Sequence, residues 1–173
     1  MTAVKKLFDE AAIAKRVKEL ATEIADAIAG DFTIVSLLKG SFVFTADLVR
    51  ALDARGCHPL IDFVWLSSYG QGRESSGAVR LIGKAPSDLE GRQVLLIDDV
   101  ADSGHTLAFA KTLLEQAGAA KVWICALLDK PSRRQITVGV DFVGFTVGDV
   151  FVVGYGIDFA ERWRHLPYIG AVD

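Results

Sequence analysis

Across residues 7–28 the apolar side chains Ile13, Val17, Leu20, Ile24 and Ile28 recur at steps of three and four, and Gly30 follows as a stop signal. This period predicts an amphipathic helix. Residues 32–38 form a short β-prone apolar run, and after Lys39-Gly40-Ser41 the pattern turns helical through Leu52, up to Gly56. Residues 59–66 read as a second strand and residues 79–83 as a returning one. Between them residues 67–77, SSYGQGRESSG, are polar, rich in glycine and serine and without period, which predicts a mobile loop. Residues 93–97 are continuously apolar after Gln93, as expected of a strand buried on both faces, and Asp98 stands at the carboxyl end. A helix over about residues 103–116 precedes Gly118, and residues 121–128 predict another buried strand. Such alternation implies an α/β fold with a mostly parallel central sheet and helices on both of its faces. Beyond Pro131 the pattern shortens to FVGFTV and VFVVGY, with no long helix between them.

Composition adds bounds. A chain of 173 residues with 51% hydrophobic content and no internal repeat predicts a single domain over residues 1–173. A formal net charge of −3 argues against a broad basic surface for nucleic acid or anionic lipid. Cys57 and Cys125 lie far apart, and Cys125 sits within VWICALL, where a buried reduced thiol is expected and no metal-site spacing arises. The chain opens without an apolar leader, and no run approaches ~18 consecutive apolar residues, so a cytoplasmic protein with no membrane partner is expected. Trp65, Trp123 and Trp163 read as packing residues.

The chemistry concentrates in QVLLIDDVADSGHTL, residues 93–107. Two carboxylates at the end of a buried strand stand where parallel α/β sheets bind ligands. Directly after them Asp102, Ser103, Gly104, His105 and Thr106 place a glycine, two hydroxyls and successive backbone N–H groups at the start of a helix, which suits a phosphate. If Asp102 or Ser103 merely capped that helix, no ligand would be needed. The acidic pair and the phosphate-type turn together favour a site, because both work against stability.

The stretch of residues 94–107 resembles the signature of phosphoribosyltransferases: four apolar residues, two acids, two small apolar residues, then Asp-Ser/Thr-Gly-x-Thr. The resemblance extends to LLKGS at residues 37–41, to Lys130 in LLDK and to FVVGYGIDFAERWRHL at residues 151–166, which are similar to the hypoxanthine-guanine branch. It implies the type I fold, with a core at about residues 31–130 and a small hood built from about residues 131–173 and the N-terminal segment. It also implies roles. Asp98 and Asp99 would contact the ribose diol, and the turn from Asp102 to Thr106 would wrap the 5′-phosphate. Lys39, Gly40 and Arg164 would meet pyrophosphate, and a lid at about residues 67–78, including Ser68 and Tyr69, would close over the reaction. Lys130 would donate to the 6-oxo group of a purine, Phe151 would stack on the base and the Val152 backbone would pair with its edge. Asp158 would lie near the exocyclic position and a magnesium shell, to which Asp98 and Asp99 are further candidates. Asp98 stands where this branch often has Glu, and His105 holds a variable loop position.

The reaction so implied is purine salvage: N9 of hypoxanthine or guanine displaces pyrophosphate from phosphoribosyl pyrophosphate with Mg²⁺, Asp102 acting as general base and Lys130 polarising the base. A xanthine-preferring enzyme is the near alternative. A nucleotide-binding regulator of the same fold is the distant one, and the retained Asp102 with an acidic charge balance disfavours it. A homo-oligomer, dimer or tetramer, goes with the resemblance.

Overall fold

The computed structural model describes residues 4–68 and 78–172. In chain order its elements are β1 (Val4–Phe8), α1 (Glu10–Ala27), β2 (Phe32–Leu38), α2 (Phe42–Asp53), β3 (Leu60–Ser68), β4 (Val79–Ile82), β5 (Gln93–Ala101), α3 (His105–Gln116), β6 (Lys121–Asp129), β7 (Phe142–Thr146), β8 (Phe151–Val153) and β9 (Ile169–Val172). The larger sheet, ordered β4-β3-β2-β5-β6-β7, is parallel except for the antiparallel β3–β4 pair. Its order reverses between β2 and β5: β2 leads to β3 on one side, and β5 leads to β6 and β7 on the other. That gap is the switch point at which open α/β sheets take their ligands.

Side chains alternate across the central strands and so feed two cores. Ile34, Leu95 and Ile97 pack under α1 and α2 with Ile13, Val17, Leu20, Ile24, Leu48 and Leu52. Val35, Val94, Leu96 and Ile124 pack on the opposite face under Leu107, Ala110 and Leu114 of α3. Arg16 ties α1 across to β7, its Nε donating to the Gly144 carbonyl at 2.8 Å and its Nη2 to that of Val143 at 2.7 Å. Cys125 is fully buried, and burial pushes its thiol up out of reach of ionisation, as expected for an inert core cysteine.

Two boundaries differ from the periodicity. The first helix starts at Glu10, not within residues 7–9, because the Asp9 side chain accepts from the Ala12 N–H at 2.8 Å and caps it. Leu7 and Phe8 instead belong to β1, which pairs antiparallel with β9 and, through it, β8 in a second, three-stranded sheet. Phe8 anchors that sheet on the larger one by stacking on Phe145 with 4.0 Å between ring centroids. The second difference is in β5, which runs on to Ala101, so Asp98 and Asp99 lie inside a strand rather than past its end.

Trp65 is not a core residue. Val64 buries one face of β3 in the α3 core, but the other face is open, so Ile61, Phe63 and Trp65 are exposed, and Trp65 meets the Lys39 ammonium 5.4 Å from its ring centre. Trp123 and Trp163 are half-buried.

Leu95 carries the junction of β5 with the α1–α2 layer and is 0% exposed. Leu95→Ala is expected to cost about 3 kcal/mol, read as a lower urea midpoint at unchanged m-value; a cost below about 1 kcal/mol would show that this junction is not the core's centre.

Candidate active site

β2 and β5 pair only as far as Ser36 with Ile97, whereas β5 and β6 stay paired through Ala101 with Asp129. β5 therefore loses one neighbour just before Asp98, and the loop leaving β2 must turn across the opening. Its first peptide, Leu38–Lys39, is cis. The hydroxyls of Ser36, Ser41 and Thr45 hold the base of this loop, with Ser36 Oγ 2.6 Å from Ser41 Oγ and 2.7 Å from Thr45 Oγ1. Gly40 then passes so close to Asp99 that a Cβ there would lie 1.7 Å from Asp99 Oδ2. Only glycine lets the loop lie against the carboxylate.

The two acids are set by backbone bonds: the Asp99 N–H donates to Asp98 Oδ1 and the Val100 N–H to Asp99 Oδ1, each at 2.9 Å. Asp98 is 7% exposed. Its burial, and next the charge of Asp99, hold its carboxyl well above the usual carboxylate range. A group in this state is satisfied by hydroxyl donors or a cation.

The turn after β5 ends at Gly104, whose φ of 95° lies in the left-handed region, and α3 follows directly. No side chain caps this helix among the described residues, so neither Asp102 nor Ser103 serves merely as a cap and the first-turn N–H groups are left for an anion. The turn is braced from outside: the Ser103 carbonyl accepts from the N–H groups of Gln135 at 2.9 Å and Ile136 at 3.3 Å, and His105 Nε2 lies 3.1 Å from Gln135 Oε1. The Asp102 carboxylate accepts from Arg133 Nε at 3.1 Å, and its carbonyl from Arg134 Nη1 at 3.2 Å. Arg134 in turn pairs with Asp129.

Lys130 follows β6, 7% exposed, with Nζ donating to the Val150 carbonyl at 2.8 Å. Burial pulls its pKa down, against the pull of Asp102. The same contact sets the start of β8. Phe151 beside it is exposed and meets Phe159 edge-on at 4.9 Å, and Phe159 stacks on Trp163 at 6.0 Å. The Val152 side chain is buried, and β8 is the outer strand of its sheet, so one backbone edge is left for a flat ligand.

Beyond β8 the chain folds back on itself without a helix. Arg164 Nη2 reaches Asp158 Oδ1 at 2.8 Å and Glu161 Oε2 at 3.4 Å, while Nη1 donates to the Gly156 carbonyl at 2.9 Å. Lys39 Nζ lies 3.3 Å from both Glu161 oxygens. Asp158 does not gather with Asp98 and Asp99: among the described residues there is no cluster of three or more His, Cys, Asp or Glu side chains fit to hold a metal. Ser68 is the last residue of β3, paired with Val79, and Tyr69 lies outside the described residues.

The model of the phosphoribosyl transferase domain family matches residues 3–160 of this chain. The chain belongs to this family. Among relatives of this phosphoribosyltransferase, the hypoxanthine phosphoribosyltransferase of Escherichia coli K12 is 43% identical over 172 residues, covering 98% of this chain and 95% of that one. The hypoxanthine-guanine phosphoribosyltransferase of Bacillus subtilis 168 is 44% identical over 169 residues, covering 97% and 92%. The crystal structure of a hypoxanthine phosphoribosyltransferase from Staphylococcus aureus superposes with a TM-score of 0.89 at 38% identity, covering 98% of this chain and 91% of that one. That likeness makes the fold the type I phosphoribosyltransferase fold.

Arg133, Arg134 and Glu161 are the site residues missed by motif reading. The signal was the consecutive arginines in PSRR just after Lys130; Glu161 instead reads from sequence as a helix-surface partner of Arg164. The pair exists, but on a segment whose Ala160, Glu161 and Trp163 have φ of 52°, 61° and 70°.

Asp98 links this phosphoribosyltransferase's site to its stability. A carboxyl whose folded pKa is raised favours folding fully below its unfolded pKa, and that contribution is lost as pH rises through the folded value. Asp98→Asn keeps an acceptor for the Asp99 N–H and is expected to raise Tm at pH 7 by about 2–4 °C, the shift for ~1 kcal/mol in a chain of this size. Near pH 3 the gain should vanish. Thermal unfolding across pH checks this, and an equal gain at both ends contradicts it.

Proposed function

We propose that the chain makes purine nucleoside monophosphates by salvage, N9 of hypoxanthine or guanine displacing pyrophosphate from C1′ of phosphoribosyl pyrophosphate. The observation that carries this reading is the meeting, at one switch point, of an acidic pair whose first member is buried, an uncapped helix start and a buried lysine beside an exposed aromatic ring. The names of the relatives support the choice of base.

Each part of the substrate then has a counterpart. The 5′-phosphate takes Ser103, Gly104, His105 and Thr106 with the N–H groups of α3. Asp98 and Asp99 accept from the ribose hydroxyls, and their charge opposes the positive charge that develops on the sugar as pyrophosphate leaves. The base lies on Phe151 with its edge along the Val152 backbone, Lys130 donates to its 6-oxo group, and Asp158 lies toward the exocyclic position. Asp102 takes the proton at N7 as N9 attacks; to do so it must share its carboxylate with Arg133, which holds it in place in the meantime. Lys39, the Gly40 backbone and Arg164 hold the leaving group, and a lid including Ser68 and Tyr69 excludes water.

Mg²⁺ fits this donor set as a shared ion rather than a caged one. Magnesium is commonly held by one or two carboxylates with substrate phosphates and water completing its shell, which accords with Asp98 and Asp99 together and Asp158 apart. When bound it would neutralise charge on the pyrophosphate. No helix among the described residues is long and apolar enough to cross a membrane, consistent with work in the cytoplasm. The exposed Ile61, Phe63 and Trp65 of β3 support a dimer or tetramer.

The test is nucleotide formation from phosphoribosyl pyrophosphate and Mg²⁺ with hypoxanthine, guanine, xanthine, adenine or uracil in turn. Hypoxanthine or guanine is expected to turn over fastest, and Asp102→Asn to lower kcat by about 10²–10⁴. Preference for xanthine would reassign the base, and no turnover with any base would overturn the reading.

A further inference from the structure

The two cations that would hold the pyrophosphate share an anion of the chain itself. Glu161 presents both oxygens to Lys39 Nζ at 3.3 Å and one of them to Arg164 Nη2 at 3.4 Å. Lys39 leaves β2 and Arg164 stands beyond β8, so the Glu161 carboxylate joins a cation 122 residues away in the chain to one 3 residues away. An oxyanion between an ammonium and a guanidinium fork is also what a diphosphate would offer the same two groups.

Three features mark this contact as replaceable. The side chains of Glu161 and Lys39 are 66% and 46% exposed, so their pair is weak and open to solvent. The Arg164 guanidinium keeps one donor in reserve: Nη1 and Nη2 have partners, but its buried Nε is without one among the described residues. Glu161 is also held in place by its backbone: its N–H donates to Asp158 Oδ2 at 2.7 Å, and it lies with Ala160 and Trp163 in the left-handed region, which other residues seldom enter unless the surroundings impose it.

We propose that Glu161 is a positioning residue that keeps Lys39 and Arg164 together as an internal substitute for pyrophosphate and is exchanged for the oxyanions of the diphosphate. This rests on the salvage reading given above. The exchange sets the apparent affinity of the subsite: the ligand must displace a carboxylate on entry, and the carboxylate returns to both cations as the product leaves. On the base side Lys130 is held by the Val150 carbonyl, a contact in which Glu161 takes no part, so the effect of Glu161 is confined to the phosphorylated ligand.

Glu161→Gln removes the charge, and Glu161→Asn does so with a residue that tolerates a positive φ, guarding against a folding defect. Binding of inorganic pyrophosphate with Mg²⁺ by calorimetry, and KM for phosphoribosyl pyrophosphate and for the purine, are measured for both variants and the parent. Both variants are expected to bind pyrophosphate about threefold or more tightly and to lower KM for phosphoribosyl pyrophosphate equally, with KM for the purine unchanged. Unchanged or weaker pyrophosphate binding in both variants, with the parent active, overturns the role of Glu161 and leaves the salvage reading standing. A parent that neither binds pyrophosphate nor forms nucleotide overturns the salvage reading, and this role with it.

Discussion

Everything at the site follows from β5 losing one neighbour before the other. Pairing with β2 stops at Ile97 while pairing with β6 continues to Ala101, so the backbone stays rigid on one side and opens on the other. Rigidity is what lets a carboxylate be buried there at all. On a loop, Asp98 would swing to water and relax to an ordinary acid; in a strand it is fixed, desolvated and pressed against the charge of Asp99. The sheet supplies the restraint, and the cores on its two faces supply the sheet.

The opening then sorts charge by origin. The carboxyl groups of Asp98, Asp99 and Asp102 all come from one strand end and its turn, whereas Lys39, Lys130, Arg133 and Arg164 arrive on three other segments. An enzyme that separates a ribosyl cation from a polyanion needs both signs near one bond without letting them cancel. Here cancellation is limited by burial and by assigned partners: Lys130 is spent on the Val150 carbonyl and Arg133 on Asp102, while Asp98 has no cation paired with it among the described residues.

How much of this was legible depends on whether the signal was local. Residues 93–97 and 121–128 announce buried parallel strands because both faces are covered, and the turn from Asp102 to Thr106 carries its chemistry in consecutive residues. β1 was hidden because VKKLF is exposed at its centre and gains its partner from β9, at the far end of the chain. Asp9 was a readable cap, yet the apolar Leu7 and Phe8 before it mimicked one more helical turn. Trp65 misled for another reason: an aromatic in an apolar strand reads as core unless one knows that only the Val64 face of β3 is covered. Ion pairs such as Arg133–Asp102 and Lys39–Glu161 have no period at all, since their partners are 31 and 122 residues apart.

The same distinction explains why the family motif and the fold agree so closely on position while saying little about energetics. A motif fixes which atoms can reach the ligand; their cost is fixed by neighbours the motif omits. Gly40 is the clearest case. Its identity reads as a loop glycine, but the structure makes it a condition on Asp99, since any side chain there would take the space of the carboxylate. The loop that would bind the leaving group and the acid that would hold the sugar are therefore one steric unit. Close packing of this kind is what would hold the two ends of the breaking bond in register.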